Sequence, residues 1–220
     1  MKTDSQANLS VANADPNTLR QLLLDFFVRL AYKEGDFVLS SGQRSTYYIN
    51  GKQVTLTAEG ALAIGRLLLS LLPEDTQAVA GLTLGADPIV AAVSVVSAYE
   101  NRPLPALIVR KEAKGHGTQA YLEGPTLPQK SKVVVLEDVV TTGKSAMLAV
   151  ERLREAGYVV DRVMALVDRE QGGAEFYQSQ GLAFQAIFSI REIQQYYSKR
   201  QEAGGRGQEL TRVGFLQREE

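Results

Sequence analysis

The stretch Val133-Val134-Val135-Leu136-Glu137-Asp138-Val139-Val140-Thr141-Thr142-Gly143-Lys144-Ser145 decides how the rest of the chain is read. A run of apolar residues suits a strand buried on both faces. Two acids follow at its carboxyl end, where open α/β sheets bind their ligands. A Thr/Gly/Ser loop then opens a helix. Its hydroxyls and N–H groups can donate to phosphate oxygens, Gly143 lets the backbone come close, and the helix N-terminus favours an anion. The acid pair suits the vicinal hydroxyls of a ribose, or a metal ion. Together these residues describe a site for a sugar that carries a phosphate. Two other readings stay open. The segment from Asp138 to Ser145 approaches a nucleotide P-loop, but it is too short and has Asp138 where the first Gly of such a loop stands. The plainer reading is a strand and a helix with Thr141 or Thr142 as a simple N-cap.

Working outward, short apolar runs alternate with helical patterns. Strands are expected at Ala78 to Leu84, Ala106 to Arg110, Lys132 to Leu136, Arg162 to Val167 and Ala183 to Ile190. Helices are expected at Ala58 to Leu72, stopped by Pro73, at Pro88 to Tyr99, at Lys144 to Ala156, and briefly from Ile190 to about Arg200. This predicts a doubly wound α/β domain with a mostly parallel central sheet of about five strands. The start of the chain does not fit the alternation. Leu19, Leu22, Leu23, Phe26, Phe27 and Leu30 give one apolar helical face between about Thr18 and Tyr32. Two β-prone runs around a Ser/Gly turn, Phe37 to Asn50, read as a hairpin. We therefore expect a mobile leader over 1–17, a domain over 18–200 and a tail over 201–220. Within the domain, a small hood spans about 18–55 and the core about 56–200. In the tail, Val213, Phe215 and Leu216 suit either a final docked strand or a loose end.

The segment Arg110-Lys111-Glu112-Ala113-Lys114-Gly115-His116-Gly117-Thr118 gathers three cations and the chain's only histidine. Its glycines and lack of apolar residues predict a mobile loop. Cations on such a loop can offset charge on a leaving pyrophosphate, and His116 titrates near neutrality. A solvated charge run is the alternative. Val167-Asp168-Arg169 ends the fourth expected strand, and an arginine there can pair bidentately with a carboxylate or enter a structural ion pair.

Composition narrows the classes. The 220 residues are 45% hydrophobic and 22% charged, with a net charge of -1, so no global field draws the chain to nucleic acid or membrane. The absence of cysteine excludes disulfides, thiolate metal sites and a cysteine nucleophile. No apolar run reaches the ~18–20 residues of a membrane-spanning helix. The polar N-terminus lacks the apolar core of a signal peptide, and a cytoplasmic location is expected.

The stretch around Glu137 and Asp138 resembles the phosphoribosyl pyrophosphate (PRPP) motif of type I phosphoribosyltransferases. The resemblance implies that the acid pair holds the ribose hydroxyls and that Val139, Val140, Thr141, Thr142, Gly143, Lys144 and Ser145 form the 5-phosphate loop. Glu137 is a mild departure, since the family often has two Asp residues. The spacing Arg-Lys-x-x-Lys-x-His-Gly resembles the catalytic loop of orotate phosphoribosyltransferases. It implies PRPP contacts from Arg110, Lys111, Lys114 and His116, with Lys111, Lys114, His116 and Asp138 in catalytic roles. It also implies a homodimer with shared active sites. The Phe37 to Asn50 segment resembles the family's hood. This assigns Ser41, Gly42, Tyr48, Ile49, Thr141 and Arg169 to orotate. Magnesium would arrive on PRPP, near Glu137 and Asp138, without a dedicated protein site. Many relatives carry Lys at the positions of Ser40 and Gly85, and the loss of these two cations would weaken PRPP binding or shift work onto Arg110, Lys111 and Lys114. A phosphoribosyltransferase for a purine or other base, and a non-catalytic nucleotide-binding regulator on the same fold, remain as alternatives.

Overall fold

The computed structural model describes residues 11–38, 44–113 and 121–216, with side chains described as far as residue 203. Helix α1 (Pro16–Phe26) starts where the Asp15 carboxylate accepts the N–H groups of Asn17 (2.9 Å) and Thr18 (3.2 Å), and Pro16 takes the first turn. A π-helical turn, Phe27–Ala31, leads into β1 (Tyr32–Val38), which pairs antiparallel with β2 (Arg44–Ile49). The expected hairpin is present. Its tip, with Ser40, Ser41 and Gly42, lies outside the described residues. A short helix α2 (Lys52–Thr55), without a pattern of its own in the sequence, joins the hairpin to α3 (Ala58–Leu71).

Then come β3 (Ala78–Leu82), α4 (Asp87–Tyr99), β4 (Ala106–Val109), β5 (Leu122–Glu123), β6 (Val133–Val140), α5 (Lys144–Glu155), β7 (Arg162–Asp168), α6 (Gly173–Ser179), β8 (Ala183–Ser189) and α7 (Ile190–Leu216). The six-stranded sheet runs β5-β4-β3-β6-β7-β8, parallel except for β5. The sixth strand, beyond the expected five, is a two-residue edge strand too short to leave a pattern. Strand β6 runs on to Val140, so the acid pair lies within the strand rather than after it, held by pairing with β7 through Val139↔Val167 and Val140↔Asp168. The last helix is also longer than expected. Its backbone stays helical to Leu216, which removes the final strand suggested for Val213, Phe215 and Leu216.

Strand β6 shows why the fold is specified. Val134 and Leu136 enter the cluster under α1, α3 and α4, while Val133 and Val135 enter the one under α5 and α6. A strand buried on both faces needs apolar residues throughout. Truncating the fully buried Leu136 to Ala would cost about 2–5 kcal/mol. At the N-terminus, Val11 is buried, and the Arg66 guanidinium donates to the carbonyls of Val11 and Ala14, each at 2.9 Å. The packed chain thus begins ahead of the expected boundary at 18.

Candidate active site

The carboxyl ends of β6 and β7 carry the site. Beyond β6 the chain turns through Thr141 and Thr142 to Gly143, whose φ of 82° is left-handed. A Cβ there would stand 2.9 Å from Phe176 Cδ1 and 3.0 Å from Tyr177 Cζ, so glycine is required on both counts. No side chain caps α5. Thr141 and Thr142 are therefore not N-caps, and the first N–H groups of the helix stay open to an anion. Glu137, Val139, Val140, Thr141, Thr142, Gly143, Lys144, Ser145 and Tyr177 line one pocket of about 280 Å³ there.

The two acids differ in environment. Glu137 is 7% exposed, and its Oε2 has no hydrogen-bond partner among the described residues. Burial, and then the neighbouring Asp138 charge, push its carboxyl well above the ordinary carboxylate range, while the Lys111 charge pulls the other way. Asp138 is better satisfied. Its Oδ1 accepts the Val139 N–H at 2.9 Å, and Lys52 Nζ stands 3.8 Å from its Oδ2. Gly85 lies close against it: a Cβ at position 85 would come within 2.7 Å of Asp138 Oδ1. The position where many relatives have Lys is thus filled by backbone, and Lys52 reaches the acid from the hood side instead. Nothing local marks Lys52 in the sequence, since its closeness to Asp138 is purely tertiary.

The pocket has a second buried polar group that the sequence does not reveal. Tyr177, on α6, is fully buried, and its hydroxyl lacks a partner among the described residues. Burial, and then the charges of Glu137 and Asp168, push its phenol far up.

Of the basic segment, Arg110 and Lys111 are described, whereas Lys114 and His116 lie outside the described residues. Arg110 Nη1 pairs with Glu123 Oε1 at 3.0 Å, and its Nε donates to the Glu112 carbonyl at 3.3 Å. Lys111 follows directly at the carboxyl end of β4, on the side from which its charge acts on Glu137.

Arg169 closes the other side. Its N–H donates to the Val140 carbonyl at 2.9 Å, which ties the end of β7 to the phosphate loop. The side chain is 9% exposed, with Nε donating to the Tyr47 hydroxyl at 3.0 Å and the guanidinium 4.8 Å from the Tyr47 ring centre. Its Nη2 is buried without a partner among the described residues. Among the described residues Arg169 forms no ion pair, so a purely structural ion pair does not explain its burial. Tyr47, which the sequence did not single out, itself stacks on Tyr32 at 6.0 Å. Strand alternation turns Tyr48 to the other face, 42% exposed and against Phe37, while Ile49 joins the core. Tyr47, not Tyr48, is thus the hood aromatic that meets Arg169.

No group of three or more His, Asp or Glu ligands forms among the described residues. Two adjacent carboxylates do fit a magnesium ion that keeps most of its ligands from water and substrate phosphates.

Comparison with known proteins agrees with this geometry. The uracil phosphoribosyltransferase family model matches residues 89–178, which includes the phosphate loop but not the hood. An orotate phosphoribosyltransferase from Nostoc sp. is 74% identical over 195 residues, spanning 89% of this chain and 95% of that protein. The orotate phosphoribosyltransferase of Mycobacterium tuberculosis, solved with Fe(III) dicitrate, superposes with a TM-score of 0.71 at 36% identity, covering 80% of this chain and 98% of that one. The same enzyme solved with PRPP gives a TM-score of 0.67 at 33% identity and the same coverage, 80% and 98%. An identity this high, over nearly the full length of the Nostoc relative and with the hood included, means that the chain belongs to the orotate phosphoribosyltransferase family.

Proposed function

We propose that this protein transfers the 5-phosphoribosyl group from PRPP to orotate, giving orotidine 5′-phosphate and pyrophosphate in the synthesis of UMP. The main support is the meeting of three features at the carboxyl end of the sheet: a helix N-terminus uncapped by a side chain, an acid pair with one oxygen unpaired, and a buried arginine with Nη2 unpaired, each among the described residues. An anion, a polyol and a second anion satisfy them together. In this reading residues 141–145 hold the 5-phosphate, and Glu137 and Asp138 hold the ribose hydroxyls. Arg169, presented by Tyr47, takes the orotate carboxylate, with Ser41, Gly42 and Thr141 beside the base. A bond forms between the orotate ring nitrogen and the anomeric carbon, and the proton of that nitrogen passes to the departing pyrophosphate. The bond from that carbon to pyrophosphate breaks, and pyrophosphate leaves with the electron pair. Positive charge develops on the ribose, and the enzyme contributes alignment and leaving-group stabilisation rather than a covalent intermediate. The family resemblance assigns Arg110, Lys111, Lys114 and His116 to the pyrophosphate. Magnesium, carried in by PRPP, would neutralise part of the pyrophosphate charge.

A homodimer sharing its sites fits the exposed apolar side chains at Leu84, Val95 and Tyr99, on and just before α4. No helix among the described residues is long and apolar enough to cross a membrane. The proposed enzyme is cytoplasmic and acts on small molecules without nucleic acid, a reading that the family and the net charge of -1 support.

The uracil family match makes uracil the competing acceptor. Uracil lacks the carboxylate that would pair with Arg169. The test follows the loss of orotate absorbance with PRPP and magnesium, for the wild type and Lys114→Ala, with uracil and a purine base in parallel. Rapid loss with orotate alone, reduced at least ~100-fold in the variant, supports the reading. Turnover of uracil or a purine in place of orotate overturns the substrate, and no turnover of any base overturns the enzyme.

A further inference from the structure

We infer that Arg152 is a positioning residue: it fixes where the chain leaves the sheet at Lys111 and rejoins it at Tyr121, and so where Lys111 stands relative to the phosphate loop. The inference rests on the PRPP site proposed above. Arg152 lies in the second half of α5, on the far side from the phosphate loop. Its Nη2 donates to the Lys111 carbonyl at 2.7 Å. Its guanidinium also covers the Tyr121 ring, 3.8 Å from the ring centre. Lys111 and Tyr121 bracket the positions of Lys114 and His116, so one side chain holds both ends of that segment. Two contacts from Arg110 close the same neck: its N–H donates to the Tyr121 carbonyl at 2.8 Å, and its guanidinium pairs with Glu123.

The chemistry explains why the residue is arginine. A planar guanidinium can stack through its face while donating from its edge, whereas an ammonium can only donate. Arg152 Nη1 is buried without a hydrogen-bond partner among the described residues, so the group is held by its neighbours rather than by full hydration. The consequence reaches the site by two routes. Helix α5 carries the phosphate loop at its start and Arg152 near its end, so loop and neck share one rigid element. Lys111, whose carbonyl Arg152 holds, stands two residues past the end of β4, at the same end of the parallel sheet as Glu137 and Asp138. Neither Arg152 nor Tyr121 lines the pocket, and both would act through Lys111.

The test measures PRPP affinity by calorimetry on the full chain with magnesium, together with kcat, KM for each substrate and Tm. Arg152→Ala is expected to weaken PRPP binding about ten-fold, the loss of one hydrogen bond and one cation–π contact. KM for orotate and Tm should change little. Arg152→Lys should recover part of the affinity. Tyr121→Leu should weaken PRPP binding less than Arg152→Ala, and add little to it in the double variant. Unchanged PRPP affinity in Arg152→Ala, or fully additive effects of the two substitutions, overturns the inference. If Arg152→Ala fails to fold, unchanged affinity in both Arg152→Lys and Tyr121→Leu overturns it instead. A wild type that binds PRPP but does not consume orotate defeats the functional reading and leaves this test, read on PRPP affinity, intact.

Discussion

In the phosphate loop almost every group comes from one unbroken run, Glu137 to Ser145, whereas the base side joins Tyr47 to Arg169 across 122 residues. The loop works largely through backbone: an uncapped helix end, a left-handed glycine and close packing by α6. The base side works through side chains, with a buried guanidinium held at one nitrogen by a tyrosine hydroxyl and unpaired at another. The two meet at the Arg169 N–H bond to Val140. The contrast teaches that one half of the site is a local motif and the other a product of folding. Substitutions should therefore separate them.

The largest separation is expected from Arg169→Met, which keeps bulk and removes the guanidinium. Losing a buried charge pair with the substrate should lower kcat/KM for orotate by about 100- to 1,000-fold. PRPP affinity, measured by calorimetry, should stay within about two-fold, because the phosphate loop keeps its backbone. An equal loss of PRPP affinity would break the comparison and show that the two regions form one unit through Val140.

Gly143→Ala is the converse. The left-handed φ and the approach of Phe176 and Tyr177 each oppose a Cβ, so the loop must distort. Strain of about 1–3 kcal/mol should weaken PRPP binding by roughly 10- to 100-fold. KM for orotate at saturating PRPP should hold. Wild-type PRPP affinity in this variant would mean that the phosphate does not rest on the α5 N-terminus.

The same contrast explains what the sequence disclosed. The parallel sheet was legible because β6 must be apolar on both faces, and Val133 to Leu136 leave no other reading. The phosphate loop was legible because it is contiguous. Arg169 stood out as a cation at a strand end. Tyr47 did not, because the sequence shows two adjacent tyrosines and only the strand register turns one inward. Lys52 and Tyr177 owe their places to packing between distant elements. The short α2 and β5 have too few residues to show a period. The full length of α7 was hidden by Gly204, Gly205 and Gly207, which read as the end of a helix although the backbone continues.

A finer test of the base side is Tyr47→Phe. The ring remains to stack on Tyr32 and lie under Arg169, and only the acceptor for Arg169 Nε is lost. One hydrogen bond to a charged group, about 1–2 kcal/mol, predicts a drop of about 5- to 30-fold in kcat/KM for orotate, with PRPP affinity unchanged. A loss as large as that of Arg169→Met would make the hydroxyl itself a substrate contact.

The smallest effect expected is on stability, from Glu137→Gln, and it tests a likeness beneath the contrast. Each region buries one charged group with an unpaired atom, Glu137 Oε2 on one side and Arg169 Nη2 on the other. In the folded chain burial raises the Glu137 carboxyl above its ordinary value of 4.5, so the folded state holds this proton more tightly than the unfolded chain. Stability therefore falls as pH rises from about that ordinary value through the raised one, and the cost persists above it. Glutamine carries no charge at any pH. Its Tm should match the wild type near pH 4 and exceed it at pH 8 by roughly 2–4 °C, the shift that ~1 kcal/mol gives a chain of this size. PRPP affinity should fall in the same variant. A Tm difference that does not change with pH would mean that the Glu137 charge is already compensated in the free enzyme, leaving Arg169 as the charged group held in readiness for its ligand.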